Sequence, residues 1–525
     1  MKTKIILMAG LMAVAATAEA QDIYKVEAVG GSDLNGTARF VGMGGAMGAL
    51  GADISVMSAN PAGIGLYRSS DVALSASALV QPGAESFHDV DKARPSFDQM
   101  GFVYAAKVRG GALRFVNFGF NYHKSRNFKN YIGTGPVATG GLSQSMQMMD
   151  LAWVGDGWLD LYYDEDRAMT TPLTCLGYDT QMLLPTYDAA GNVTDYTPCE
   201  ADAYNYRRVQ WGGVQQYDFN VAFNVNDRVY GGLTFGLYNV RMHSFTDYGE
   251  LLPDGAGNQY EYYMQNYEQL TGNGFDVKFG LIVRPFARSP FRVGLSFATP
   301  TYYSLTADAS LFMHSPFQNG DVPYTESSAD VVGNEYNVRT PWRLGVSVAT
   351  TVGKRVALDA EYELANYRKS NISYPDYYDD WGSVYEGETD YALREEIKRF
   401  MKPVHTFRVG AEARVGKGTY LRAGYNYVSA PFEKDAYLNL FTASSSYFYQ
   451  TNTDYVNLGA TNRYTAGLGW RGKHFYVDAA YQFQKQTGDL YTFHLPEADS
   501  ETNRLAAAPV DLKRHQLLFT VGYKF

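Results

Sequence analysis

The chain has 525 residues, of which 15% are aromatic and only 19% charged, and its 55 acidic against 45 basic side chains give a net charge of −10. This acidic balance argues against a nucleic-acid partner, which requires a basic surface. The 52 glycines and 43 tyrosines instead favour strands and turns. No linker or low-complexity run divides the sequence, so we predict one large domain.

The first twenty residues have the pattern of a secretory signal peptide. Lys2 and Lys4 precede an apolar run, residues 5–18, and Ala18-Glu19-Ala20 forms a small-x-small cleavage site. The run is too short for a membrane-spanning helix, which needs about 20 residues. We therefore predict a signal peptide at 1–20 and an exported protein that crosses any membrane with strands.

Residues 36–71 are rich in glycine and alanine and contain the sequence Asn60-Pro61-Ala62-Gly63. A dinucleotide site is one interpretation, because Gly42-Met43-Gly44 matches the start of the Gly-x-Gly-x-x-Gly motif of such sites. Met47 stands where the third glycine belongs, and no strand-helix-strand rhythm surrounds the segment, so the motif fails. We predict no cofactor.

From residue 71 onwards the sequence alternates between apolar and small or polar side chains. At the C-terminus Leu517, Phe519, Val521 and Tyr523 fall on one face, as in a strand whose outer side meets lipid. Residues 291–312 count as one strand despite Pro300. This pattern predicts fourteen strands, at 71–80, 98–108, 112–123, 215–226, 228–240, 273–284, 291–312, 337–351, 355–368, 404–415, 419–429, 463–470, 475–485 and 514–525.

The connections between these strands alternate between short turns and long loops. Such sorting is typical of an outer-membrane barrel and not of a soluble secreted sandwich, which is the alternative all-β fold. We therefore predict an all-β chain whose residues 71–525 form a 14-stranded antiparallel transmembrane β-barrel. Both termini are expected at the short-turn, periplasmic rim.

Residues 21–70 precede the first strand and are too long for a simple tail. A 14-stranded barrel is too wide to be filled by its own inward side chains, since about eight strands already leave room for a small ligand. We therefore predict that 21–70 form an N-terminal hatch, or plug, inside the lumen. The glycines would let its backbone lie close to the barrel wall, and Pro61 would fix a break after Asn60.

The glycine-rich run followed by Asn60, Pro61 and Ala62 resembles the FadL/TodX family of outer-membrane channels for hydrophobic compounds, in particular its Bacteroidetes-type branch. The resemblance implies passive uptake of a long-chain fatty acid or an aromatic-like ligand by a monomer in the outer membrane of a Gram-negative bacterium. Its partners would be the lipid bilayer and a hydrophobic small molecule. The ligand would leave sideways after the hatch rearranges.

In that family the sideways opening lies at a kink in the third strand. In this sequence the apolar side chains change from odd to even positions between Phe115 and Val116. This change predicts a β-bulge, with Val116, Asn117 and Gly119 beside it. The alternative is that Val116 simply points into an apolar lumen.

The same alternation places charged side chains inside the barrel. We predict that Arg343, Arg408 and Arg422 contact a ligand carboxylate, because arginine recognises carboxylates with two hydrogen bonds. The alternative is that these arginines pair with other inward charges or hold the hatch. The inward carboxylates are Asp359, Glu361, Glu412 and Asp478.

The long loop 124–214 is expected to fold on itself. It contains both cysteines, Cys175 and Cys199, which are predicted to form a disulfide in an oxidising compartment. No histidine lies between them, so a metal site is not predicted.

Two other classes of function are compatible with an exported all-β chain or have to be excluded. A non-transporting surface barrel could bind a partner protein or haem, or serve a secretion system. An enzyme is not predicted and no catalytic residue is assigned, because the eight histidines are scattered and no nucleophile motif is present.

Overall fold

Alternating side chains build a wall of antiparallel strands that closes on itself. In this computed structural model the first strand, β1 (Asp71–Val80), pairs on one side with β2 and on the other with the last strand, β24. The wall has fourteen positions, which confirms the predicted 14-stranded antiparallel barrel. The structure describes residues 22–525 except 89, 92, 156, 319–321, 354, 376, 379–383, 386, 442–443, 445–446, 448 and 496–504. The predicted signal peptide lies outside the described residues.

The remaining strands follow in chain order. They are β2 (Ala93–Lys107), β3 (Leu113–Asn127), β4 (Asn130–Ala138), β5 (Trp153–Val154), β6 (Gly157–Trp158), β7 (Leu183–Tyr187), β8 (Val193–Pro198), β9 (Ala203–Val225), β10 (Val229–Pro253), β11 (Gln259–Val283), β12 (Arg292–Ala298), β13 (Tyr302–Ser315), β14 (Thr325–Arg339), β15 (Arg343–Val352), β16 (Val356–Asn366), β17 (Asn371–Ser373), β18 (Tyr377–Tyr378), β19 (Val384–Tyr385), β20 (Pro403–Arg414), β21 (Thr419–Val428), β22 (Tyr455–Arg471), β23 (Phe475–Tyr491) and β24 (Ala508–Lys524).

The helices lie in the N-terminal segment and in the long loops. The α-helices are α1 (Ile23–Gly30), α2 (Ala38–Gly42), α3 (Gln144–Leu151), α4 (Asp164–Arg167), α5 (Pro172–Asp179) and α6 (Tyr391–Phe400). Three 3-10 helices span Ile54–Met57, Pro61–Leu66 and Tyr367–Lys369. Among the described residues, we find no helix with the length and apolar character needed to cross a membrane.

The outer face of the wall is apolar, as a lipid-facing surface requires. On β24, Phe519 and Val521 are about half exposed, whereas Leu518 and Thr520 between them are buried towards the lumen. The same alternation runs along β1, whose buried and exposed residues follow one another strictly.

Two neighbouring wall positions are interrupted at the same height. β12 and β13 follow each other along the same partner, β11, but Thr299, Pro300 and Thr301 separate them. Opposite this gap, residues 340–342, with Pro341 at their centre, separate β14 from β15. The predicted strand 291–312 is therefore one wall position with a break, because proline has no backbone N–H to donate to the ladder.

Several strands are longer than predicted, and β9, β10 and β11 exceed the prediction most. β9 has 23 residues and β10 and β11 have 25 each, whereas about 10 suffice to cross a bilayer. The sequence pattern indicated a loop at 241–272 because the polarity of the alternation inverts there. On β10, Leu233 and Phe235 face outwards, but higher up Val240 and Met242 are the buried residues. Above the lipid the outer face meets water, so the apolar side chains turn inwards.

The long loop folds on itself. Helices α3 and α5 and the β7–β8 hairpin share a buried cluster that includes Leu161 and Leu176. The predicted disulfide is wrong, because Cys175 and Cys199 are free thiols. They occupy separate sites, where the Cys175 thiol donates to Arg167 O at 3.6 Å and the Cys199 thiol to Met182 O at 3.7 Å.

The two described chain ends lie at opposite rims of the barrel. Phe525 exchanges backbone hydrogen bonds with Ser70 at the short-turn rim. Asp22, the first described residue, lies against Leu393, Glu396 and Leu440 of the long loops. The expectation that both ends share one rim is therefore corrected. The apolar face of α1 accounts for this placement, because it packs in one cluster with residues of α6.

Candidate functional site

The lumen is filled by residues 22–70, which we call the hatch. Its backbone lies so close to the wall that both surfaces need small residues. A Cβ added to Gly280 of β11 would overlap Asn60 Oδ1, and one added to Gly232 of β10 would overlap the backbone of Pro61. On the far side of the barrel, a Cβ on Gly424 of β21 would overlap the backbone of Gly44. The glycines of the hatch were singled out from the sequence, whereas those of the wall were not.

The motif Asn60-Pro61-Ala62-Gly63 forms a fixed corner of the hatch. Asn60 is 1% exposed, and its Oδ1 accepts a hydrogen bond from Ala62 N at 3.2 Å, which caps the following 3-10 helix. Its Nδ2 donates to Gly48 O at 2.8 Å and so ties two turns of the hatch together. Pro61 occupies the first position of the helix, where its missing N–H costs nothing.

Buried ion pairs join the hatch to the wall. Arg39 of the hatch contacts Glu412 of β20 through Nε and Nη2, and Glu412 also accepts from Arg422 Nε at 2.7 Å. Arg422 donates further to Asp478 of β23 at 2.6 Å. Arg422 is completely buried in this network and is not among the residues that line the cavity described below. Its arrangement matches the alternative in which inward charges pair with one another.

The carboxylates of β16 hold the hatch backbone. Asp359 accepts from Leu50 N at 2.8 Å and from Ala49 N at 3.2 Å, while Glu361 accepts from Gly48 N at 3.1 Å. Inward charges that were predicted from the alternation are thus used, in large part, to fasten the hatch.

A cavity of about 300 Å³ lies between α1, the rest of the hatch and the barrel wall. Arg343 and Arg408, for which ligand contacts were predicted, both line it. Arg343 donates to Gly30 O of α1 at 2.6 Å, and Arg408 contacts Glu361 at 2.5 Å and Glu363 at 3.2 Å. The lining contains eight basic and six acidic side chains, so this space is cationic within an acidic protein. The bases are Lys25, Arg126, Arg208, Lys278, Arg343, Arg408, Arg463 and Arg514.

Three arginines in this cavity share two carboxylates. Arg126 pairs with Glu27 at 2.9 Å, and Arg463 reaches Asp33 at 3.4 Å. Arg514 makes one long hydrogen bond, to Asn127 O at 3.5 Å, and its buried Nε has no hydrogen-bond partner among the described residues. The group therefore carries one uncompensated positive charge. We define these three side chains as the arginine cluster.

The sequence interpretation missed Arg463 and Arg514. Each is the first residue of a predicted strand. Arg463 faces inwards like Thr465, two residues further along β22, and Arg514 faces inwards like Gln516, two residues further along β24. The alternation that selected Arg408 would also have selected them, had it been extended to the strand ends.

The predicted bulge in the third strand is wrong in position. The pairing of β3 with β2 is regular from Phe115 to His123, and the register with β9 shifts at Arg114, between Leu113 and Phe115. The extra residue is thus taken up next to the turn, before Val116. Asn117 points inwards and donates to Ile64 O at 2.7 Å, and Gly119 lies against Met57. Both residues contact the hatch.

No protein-family model matches this chain, and a search of curated proteins finds no match. Among solved structures, the chain is similar to a FadL homologue of Pseudomonas aeruginosa, with 13% identity, 94% of this chain and 100% of that chain covered, and a TM-score of 0.51. The toluene transporter TodX of P. putida has 12% identity, covers 94% of this chain and 99% of its own, and has a TM-score of 0.49. TbuX, a toluene transporter of Ralstonia pickettii, has 13% identity, covers 94% and 98%, and has a TM-score of 0.45. At this identity the likeness shows the fold, and the chain has a FadL-type barrel.

Proposed function

We propose that this protein belongs to the FadL/TodX family and is a monomeric channel in the outer membrane of a Gram-negative bacterium. It would admit hydrophobic compounds passively through the rearrangement of its hatch. The observation that carries this proposal is a lipid-facing barrel whose lumen is closed by its own N-terminal segment, with a ligand-sized cavity between that segment and the wall. The solved proteins of the same fold include toluene transporters, which agrees with an apolar cargo.

The lining of the cavity favours a long-chain fatty acid over a neutral aromatic compound. A neutral hydrocarbon gains nothing from the unpaired guanidinium of Arg514, whereas a carboxylate can accept two hydrogen bonds from an arginine. We propose that the ligand carboxylate binds Arg463 and Arg514. Because Asp33 of the hatch is the carboxylate nearest to Arg463, the ligand would compete with the hatch for the same guanidinium.

We propose that the sideways opening lies where β12 and β13, and β14 and β15, are interrupted. The third strand, β3, is regular where a bulge was expected. The interruptions at Pro300 and Pro341 are followed on the next wall position by the 3-10 helix Tyr367–Lys369. Arg343 and Tyr367 flank this region and line the cavity. An apolar tail released from the cavity would meet the weakest part of the wall here, because fewer ladder hydrogen bonds have to separate.

Uptake of radiolabelled oleate tests the proposed function. The protein is produced in a Gram-negative host that lacks its own fatty-acid channel, and uptake is compared with that of Arg463→Gln/Arg514→Gln and of the control Arg241→Gln. Arg241 is exposed on the outer side of β10 and outside the cavity. We expect uptake by the wild type and the control and at least about tenfold less by the double variant, as for loss of a charge-assisted pair.

The absence of oleate uptake by the wild type would contradict the proposal. A non-transporting barrel is then the better description, and the many buried contacts of the hatch, such as that between Arg39 and Glu412, would mark a permanent plug. Uptake that is equal in all three proteins would support transport but would overturn the role of the arginine cluster.

A further inference from the structure

Residues 139–202, which we call the loop domain, carry the whole net charge of the protein. They contain eleven acidic side chains, no lysine or histidine, and a single arginine, Arg167. The rest of the chain has 44 acidic and 44 basic residues and is neutral. Arg167 is itself paired with Asp179 at 2.7 Å. The negative charge is therefore concentrated on one part of the molecule.

Large aromatic side chains are exposed on the same loop domain. Trp153 is 47% exposed, Tyr162 72%, Tyr163 58% and Tyr187 47%. Exposed apolar groups that cluster in this way mark interaction sites more often than isolated ones do. We call these four residues, together with Trp158, the aromatic ridge.

Tyr196 supports the tryptophan part of the aromatic ridge and the backbone that precedes Tyr162. The rings of Trp153 and Trp158 meet edge to face at 5.0 Å, and Trp158 contacts the buried Tyr196 at 5.8 Å. The Tyr196 hydroxyl donates to Leu159 O at 2.9 Å and accepts from Leu161 N at 3.2 Å, next to the Tyr162–Tyr163 pair. Trp153 and Trp158 are thus anchored to the core of the loop domain, which limits the side-chain freedom that they lose on binding.

We propose that the aromatic ridge and the carboxylates beside it bind a basic segment of another protein, rich in arginine or lysine. Asp164 and Glu165 directly follow Tyr162 and Tyr163 and are exposed, as are Asp188 next to Tyr187 and Asp195 near it on β8. Cationic side chains gain both from these carboxylates and from stacking on aromatic faces. Anionic lipid and a second copy of this acidic surface are repelled by the same charge. This interaction is independent of ligand uptake through the lumen.

A peptide-binding experiment tests this proposal. The full-length protein is placed in nanodiscs of uncharged lipid, and fluorescence anisotropy measures the binding of a labelled twelve-residue peptide that alternates arginine and serine. A peptide that alternates glutamate and serine is the matched probe. We expect the arginine peptide to bind at 150 mM NaCl, a concentration that screens diffuse charge attraction beyond about 8 Å, and the glutamate peptide not to bind.

Three variants separate a specific site from diffuse attraction. Trp153→Ala/Tyr163→Ala leaves the charge unchanged and is expected to weaken binding by about fivefold through lost cation–π contacts. Asp164→Asn/Glu165→Gln should weaken binding by about tenfold. The control Asp330→Asn/Glu335→Gln removes the same charge from exposed residues of β14 and should weaken binding by less than about twofold. Protection of the buried Cys175 from alkylation verifies that the loop domain remains folded in each variant.

Equal weakening by the two charge variants would overturn the proposal, because binding would then follow net charge alone. Unchanged binding by the aromatic variant, or no binding of the arginine peptide to the wild type, would overturn it as well. Binding of the glutamate peptide would contradict the charge argument directly.

Discussion

Arg39 in the hatch and Glu412 in the barrel wall form a two-point ion pair in the interior, with Nε–Oε2 at 2.9 Å and Nη2–Oε1 at 3.1 Å. Both side chains are less than 10% exposed. Glu412 lies 373 residues further along the chain, so this pair fastens the hatch to a distant part of the sequence in the barrel wall.

Replacing Arg39 by alanine is expected to loosen the hatch. Glu412 would keep Arg422, but the hatch would lose its anchor, and breaking a buried pair costs about 3 kcal/mol. Hydrogen exchange measured by mass spectrometry should become faster across residues 36–66. The control is Arg68→Ala, which removes the pair between the 62%-exposed Arg68 and Asp227. Equal exchange in the Arg39 variant and the wild type would show that the pair does not hold the hatch.

Adding one methyl group to the wall at Gly280 is expected to displace the hatch. The Cβ of Gly280→Ala would overlap Asn60 Oδ1, and overpacking of this kind costs about 2 kcal/mol. The displaced hatch should raise the ion conductance of the protein in planar bilayers. Gly157→Ala is the matched control, since a Cβ there meets no other atom within 4 Å. Identical conductance of both variants would contradict the close contact.

Removing the charge of Asp33 is expected to strengthen fatty-acid binding, if the proposed function holds. The substitution Asp33→Asn would leave Arg463 and Arg514 without their nearest carboxylate, so the ligand would no longer compete with the hatch for Arg463. We expect the dissociation constant for oleate to fall by about tenfold, or about 1.4 kcal/mol. The neutral 1-dodecanol should bind the variant and the wild type equally. Weaker oleate binding by Asp33→Asn would show that Asp33 supports the site and does not compete for it.

The two cysteines are expected to react as unpaired but poorly nucleophilic thiols. Burial raises the pKa of Cys175 to about 11 and that of Cys199 to about 12. The reactive thiolate is therefore scarce at neutral pH, and its fraction grows with pH towards these values. Iodoacetamide should label the native protein slowly at pH 7 and faster at pH 9, and should label two thiols per chain in denaturant without a reductant. Labelling that requires a reductant would reveal a disulfide.

The wall of the barrel was predictable because its signal is local. Residues such as Phe519 and Val521 must face lipid at every second position, and short turns fix the order of neighbouring strands. The ends of β10 and β11 nearest the long loops were not predicted, because the local signal changes there. Their alternation continues, but its polarity inverts where the outer face leaves the lipid.

The contacts of the candidate site were not predictable from one sequence. The alternation showed that Arg343 points inwards, but its acceptor is Gly30 O, 313 residues away, and no periodicity links the two. The bulge was misplaced because a change of phase shows that one residue is extra and does not show which. The disulfide was wrong because two nearby cysteines in a sequence need not meet in the fold.

The path of the N-terminal segment has a consequence for biogenesis. Residues 22–70 run from the long-loop rim to the short-turn rim, where β1 begins, and the barrel is sealed by pairing of β1 with β24, its first and last strands. If the barrel closed before this segment was in place, the segment would have to thread through the closed barrel. Its arginines would then have to lose their water inside the pore. If the forming sheet instead wraps around the segment, the segment does not have to enter a closed pore. We therefore expect the hydrogen bonds between β1 and β24 to form last.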